Sequence, residues 1–373
     1  GVRGAVWVAV RVPDDCIAAH ANQSRIHQFN MSDKENCLYS SDVISFAREK
    51  GYFSGVNKEF SFADAYAPLD FGARRFCEAR VWSYYNMFTD RGQEFLPYIQ
   101  GTSDTPMPLF VKPNRKLSVQ DVQRAMRDHY EGTPLDLSQD FGAGPYHAPY
   151  RLSPLTFKVD GEEYFNERPI STQQSGFVFV AQMRAQLPDP VGGVLWFGTD
   201  DANMISFVPV YCCTTRVPEC YTRVDGADYI TFSWNSAFWI YNWVANMVYP
   251  RYDLMIGDLR EVQQRLEQSF FTAQPGIEQV AQELYKKDPK EAVSFLTNYT
   301  NQMAQGAFAS WKKLGEYLVV KYNDGVTKRV KDGRFERNAI GQPARVIRQG
   351  YPEEFLKEYV KQTGERYKVG ISD

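Results

Sequence analysis

The stretch whose reading decides the fold class is "ISTQQSGFVFVAQMRAQLPDPVGGVLWFGTDDANMISFVPVYCCTT", residues 170–215. It contains three β-branched and aromatic runs, 170–184, 192–199 and 205–215, parted by Pro/Gly or Asp/Asn turn residues. Runs of that kind with short turns between them predict an antiparallel meander. Helical patterns collect in other blocks. "SSDVISFAREKG" is expected to be capped by Ser40 or Ser41 and stopped at Gly51. "FGARRFCEARVWSYYNMF" (71–88) reads as a long amphipathic helix. "SVQDVQRAMRDHYEG" (118–132) reads as a third, started by Ser118 with Asp121 and ended by Gly132. Grouped rather than strictly alternating elements favour α+β over a doubly wound parallel fold.

Working outward, strands are expected at about 4–12 and 16–23, with Val6, Val8, Val10 and Val12 on one face. Residues 133–168 are rich in Pro, Gly, Tyr and Asp and show no periodicity, so they read as one long functional loop, a candidate lid. From 236 to about 322 the pattern is helical, with breaks expected at Pro250, Pro275 and Pro289. "VTKRVKDGRFERN" (326–338) predicts a hairpin turning at Asp332-Gly333, and "PEEFLKEYVKQTG" (352–364) a closing helix. The expected organisation is 1–235, holding the sheets and their covering helices, and a mainly helical 236–373 packed on the same domain.

Composition narrows the function. The 373 residues are 43% hydrophobic and 23% charged, with a formal charge of −3, enough apolar material for a large core. A nearly neutral chain lacks the basic footprint of a nucleic-acid binder. No apolar run is long enough to span a membrane as a helix. No Gly-rich phosphate loop is present: "DFGAGPY" (140–146) lacks the third glycine and a preceding strand. The six cysteines, Cys16, Cys37, Cys77, Cys212, Cys213 and Cys220, form no C-x-x-C, and free thiols are expected.

One segment gathers chemistry-bearing residues. "DDCIAAHANQSRIHQ" (14–28) places Cys16, His20, Asn22 and His27 together and holds two of the four histidines. On a strand, residues four apart share a face but lie roughly 13 Å apart, too far for direct proton transfer from Cys16 to His20. Histidines seven apart with no carboxylate cluster fit zinc poorly, so no metal is expected. His129 and Glu131 are expected at a helix C-terminus, where the dipole favours a histidine. Asn22 is different. A strand-end carboxamide can donate a fixed N–H without titrating, as oxyanion stabilisation requires, although a plain turn Asn is the alternative.

The ordered runs "VRGAVWVAVRVPDDCIAAHANQSRI", "LDFGARRFCEARVW", "RDHYEGTPLDL", "RPISTQQSGFVFVAQMR", "GGVLWFGTDDAN" and "FVPVYC" resemble the bacterial dipeptidases of the N-terminal-nucleophile cysteine peptidase family, relatives of choloylglycine hydrolases and penicillin V acylases. The resemblance implies an αββα sandwich, hydrolysis of dipeptides and no cofactor. Its nucleophile is an N-terminal Cys thiol activated by its own α-amine. Residue 1 here is Gly, so the chain is expected to be the C-terminal majority of such an enzyme. The nucleophile would then come from upstream sequence, and the chain alone would be inactive. Asn22 matches the position at which the wider superfamily delivers an Asn to the tetrahedral intermediate. Arg75 resembles the Arg near the nucleophile, with Arg74 one position away and a solvated helix charge as the alternative. The implied partners are a small peptide substrate and the protein's own N-terminal fragment. The sequence leaves a homo-oligomer open, and any export signal would lie upstream. Two other readings are a non-catalytic binding or scaffold protein of the same fold and a related N-acyl amidase.

Overall fold

The computed structural model describes residues 4–370; the reading of Gly1 falls outside them. The chain divides into two compact units. One comprises 1–135 and 151–170, the other 136–150 and 171–373. The meander and the helices of 237–322 therefore belong to one unit.

In the first unit, β1 (Val8–Val10) and β2 (Ile17–Ala18) are shorter than expected and do not pair with each other. β1 pairs antiparallel with β3 (Cys37–Tyr39), and β2 with β4 (Phe110–Val111). The helix Val43–Glu49 begins at Asp42, and neither serine caps it. The Ser40 hydroxyl instead accepts the Trp7 amide at 3.2 Å, a strand-side use for the same group. Gly51 does take the left-handed backbone, φ +74°, that stops a helix.

The long helix of 71–88 forms, but not uniformly. Phe71–Ala73 leads into a π turn, Arg74–Glu78, before the regular helix Ala79–Phe88. Such a turn widens the helix by a residue and recurs at functional sites. Ser118 and Asp121 form the full capping box of Val119–Met126. That helix ends at Met126, six residues before Gly132, and in the turn beyond it Tyr130 adopts φ +67°. The expectation of an irregular 133–168 is corrected. Thr156–Val159 (β5) and Glu162–Phe165 (β6) form a hairpin. Its turn is Asp160-Gly161, both at positive φ, an Asp-Gly signal standing in the sequence.

In the second unit, Phe177–Met183 (β7), Gly193–Thr199 (β8) and Val208–Tyr211 (β9) form the antiparallel meander in that spatial order. Val178, Val180, Val194 and Trp196 are buried. Trp196 stacks on Phe271 at 4.2 Å. Alternate residues Phe177, Phe179 and Met183 are exposed, as a period-two strand with one covered face requires. The helices are Ala237–Val248, Tyr252–Lys287 and Pro289–Tyr322. Pro250 and Pro289 sit at breaks, but Pro275 does not break its helix. One lost backbone bond is outweighed by the packing of Phe270 and Ala281 on either side of it, both buried. The Asp332-Gly333 hairpin and the helix Glu353–Thr363 form as expected. The fold is α+β.

Candidate functional site

The two residues singled out from the sequence both lie in the first unit. Asn22 is exposed, with φ +61°. Its Oδ1 accepts a 2.9 Å bond from Arg80 Nη2. Arg80 is itself fixed by Nε donating to Phe76 O at 2.7 Å and by Nη2 approaching Ala21 O at 3.3 Å. A guanidinium only donates, so it must face the carboxamide oxygen, and this orients the Nδ2 hydrogens the other way.

Arg75 is not a solvated helix charge. It forms an ion pair with the buried Glu167, and its guanidinium carbon lies 5.5 Å from the Phe165 ring centre and 5.9 Å from that of Phe71. Desolvation lowers its pKa from the ordinary arginine value, while Tyr130 acts in the opposite sense. Arg74 turns elsewhere, to Ser103 O and Asp104 at 3.3 Å and over the Tyr98 ring at 4.6 Å. The π turn thus sends its two arginines to different partners.

Tyr130 links the two neighbourhoods. It is fully buried, and its hydroxyl donates to Arg168 O at 2.6 Å. Burial raises its pKa, Asp128 adds to the rise, and Arg80 and Arg75 oppose it. Both the guanidinium that holds Asn22 and the Arg75 guanidinium therefore act on this hydroxyl. Beside it, Asp128 accepts the Ser83 hydroxyl at 2.6 Å, and burial pushes its carboxyl up to about 6. His129 is wholly buried and lies in the turn after the helix, not at its C-terminus as expected. Its Nδ1 is 3.0 Å from Glu131 Oε1, and its amide donates to Oε2 at 2.7 Å.

The same segment that holds Asn22 is anchored by Arg25. Its Nε donates to both Glu78 oxygens at 2.9 and 3.1 Å, and its other nitrogens reach Tyr85 and the carbonyls of 107–109. Cys16 and His20 are not joined. Cys16 Sγ meets Asp15 at 3.6 Å, and partial desolvation followed by that carboxylate raises its pKa. His27 instead faces Ser61 and Asp64, each at 3.3 Å. All six cysteines are free. Among the described residues no three His, Cys, Asp or Glu side chains gather as a metal site, and no helix is long and apolar enough to cross a membrane.

Arg80, Glu167, Tyr130 and the Arg25–Glu78 pair escaped the sequence reading. Their signal was present in the long motifs: Arg80 in "LDFGARRFCEARVW", Tyr130 in "RDHYEGTPLDL", and Glu167 immediately before "RPISTQQS". Periodicity could not reveal them, because each acts on a residue far away in the chain.

The peptidase family C69 pattern matches residues 1–265. The chain belongs to peptidase family C69. It is 28% identical over 208 residues to a probable dipeptidase of Salmonella dublin, covering 56% of this chain and 42% of that protein. It is 27% identical over 253 residues to a probable dipeptidase of Latilactobacillus sakei, covering 67% and 47%. It is 24% identical over 241 residues to dipeptidase A of Lactobacillus helveticus, covering 64% and 44%. The chain spans about half the length of these curated relatives. The matched region contains Asn22, Arg75, Arg80, Tyr130 and Glu167.

Proposed function

We propose that this chain carries the oxyanion-stabilising part of a cysteine-type dipeptidase. The observation behind the proposal is the Arg80–Asn22 bond. With Oδ1 held by a guanidinium, the Asn22 amide presents its N–H donors in a fixed direction before any substrate arrives. A donor that need not reorganise is what a developing oxyanion requires. Arg75, half-buried between two rings and a carboxylate, supplies a second, cationic group.

The nucleophile of this reading is an N-terminal cysteine thiol with its own α-amine as base. Of the internal thiols, Cys16, Cys37, Cys213 and Cys220 have pKa values raised by burial, the opposite of an activated nucleophile. The αββα sandwich belongs to the same reading. The exposed row of Phe177, Phe179 and Met183, opposite the helix-covered face of the meander, is the kind of surface on which a second sheet packs.

Asn22→Ala in the catalytically complete enzyme tests the assignment. The expected result is a fall in kcat on the order of 10²–10³ with little change in KM, because the bond forms mainly in the transition state. Asn22→Asp should do no better, since an anion would face the developing charge. Near-normal kcat in a well-folded Asn22→Ala enzyme would remove Asn22 from the mechanism.

A further inference from the structure

The mechanism proposed above uses Arg75 but leaves open what fixes its guanidinium. An arginine side chain has many rotamers, and a cationic group near a reaction centre helps only when it is already in place. Four observations identify the restraint. Glu167 is nine-tenths buried and forms an ion pair with Arg75. Glu167 immediately precedes Arg168, whose carbonyl accepts the hydroxyl of the fully buried Tyr130. Tyr130 sits at φ +67°, a backbone rarely adopted by a bulky residue, in a turn braced by His129 to Glu131 and by Ser83 to Asp128. Asn166, on the other side of Glu167, is held too: its amide donates to Leu155 O at 3.0 Å, and its side chain accepts Arg151 Nε at 3.2 Å.

We propose that Glu167 is the positioning residue for Arg75, and that Tyr130 holds Glu167 in place through the Arg168 carbonyl. The "DHYEG" turn and the "NERP" segment then act together as one clamp on the guanidinium. The strained backbone at Tyr130 follows from this arrangement. The same left-handed turn carries the His129–Glu131 contact and the hydroxyl that donates to Arg168 O. Arg74 belongs to a different restraint, because its partners are Asp104, Ser103 and Tyr98.

The inference rests on the reading of Arg75 as a site residue, yet it can be tested without activity. Phenylglyoxal labels accessible arginine guanidinium groups, and peptide mass spectrometry separates Arg75 from Arg74. In the 373-residue chain, Glu167→Gln and Tyr130→Phe should each raise the labelling rate at Arg75 about fivefold, as expected for release of a partly buried ion pair. Arg74 should label at the wild-type rate in both. In the complete enzyme the same variants should lower kcat roughly 10- to 100-fold, as a misplaced group does, with KM little changed. Glu167→Asp, which keeps the charge, should recover part of the loss. If Glu167→Gln does not fold, Tyr130→Phe, which removes a single oxygen, gives the same reading. Unchanged Arg75 labelling in the folded variants would overturn the clamp. Faster labelling with normal kcat would uphold the clamp and remove Arg75 from the proposed chemistry.

Discussion

Replacing Glu78 by Ala should destabilise the first unit by about 3–5 kcal/mol, the cost of breaking a buried ion pair by removing one partner. The pair is well enclosed: the Arg25 side chain is 3% exposed and that of Glu78 5%. At a separation near 3 Å and an effective dielectric constant of about 20, the direct attraction is roughly 5 kcal/mol. Removing Glu78 leaves the Arg25 charge with only neutral partners, namely the Tyr85 hydroxyl and the carbonyls of Ala19, Met107, Pro108 and Leu109. For a unit of this size each kcal/mol corresponds to a melting shift of about 2–4 °C, so a fall of roughly 6–20 °C is expected. Glu78 also lies in the π turn, so hydrogen exchange in peptides covering 71–88 should rise before exchange in the meander. The double variant Arg25→Met/Glu78→Leu should be less damaged than the sum of the singles, because apolar side chains do not leave a charge behind. Calorimetry and exchange mass spectrometry measure both effects. A loss below about 1 kcal/mol for Glu78→Ala, or a double variant as unstable as the summed singles, would refute the reasoning.

Two further outcomes follow from other residues in the first unit. Asp128 has a folded pKa of about 6 against an ordinary 3.8, because burial penalises its charge. A raised acid contributes stability below about pH 4 that is lost as pH rises through about 6. Asp128→Asn, which can still accept the Ser83 hydroxyl, should flatten that fall. Urea unfolding at pH 4.5 and 7.5 measures it, and parallel wild-type and variant profiles would contradict it. Ser118→Ala removes one half of a complete capping box and should cost about 1 kcal/mol. A melting temperature unchanged within a degree would mean the helix is held by its packing instead.

What the sequence determined by itself was local. The turn residues between 170 and 215 set the meander, because Pro, Gly and Asp fix where an extended run can reverse. Ser118 with Asp121 set a helix start, Asp332-Gly333 a hairpin, and Gly51 a helix end, each through backbone preferences within a few residues. The positions of Asn22 and Arg75 could be read from long motifs, but not their surroundings. Tertiary structure decided the rest, because it depends on groups distant in sequence. The helix after Ser118 should have run to Gly132, yet it ends at Met126, and Tyr130 in the turn beyond it bonds a carbonyl 38 residues later. Pro275 should have broken a helix whose buried face holds it together. Cys16, which the strand spacing already kept apart from His20, meets Asp15 instead. Arg80, one polar position of the 71–88 helix, is the group that orients Asn22. Burial and long-range pairing have no local signature, and they are what turn a carboxamide and a guanidinium into a fixed donor and a fixed charge.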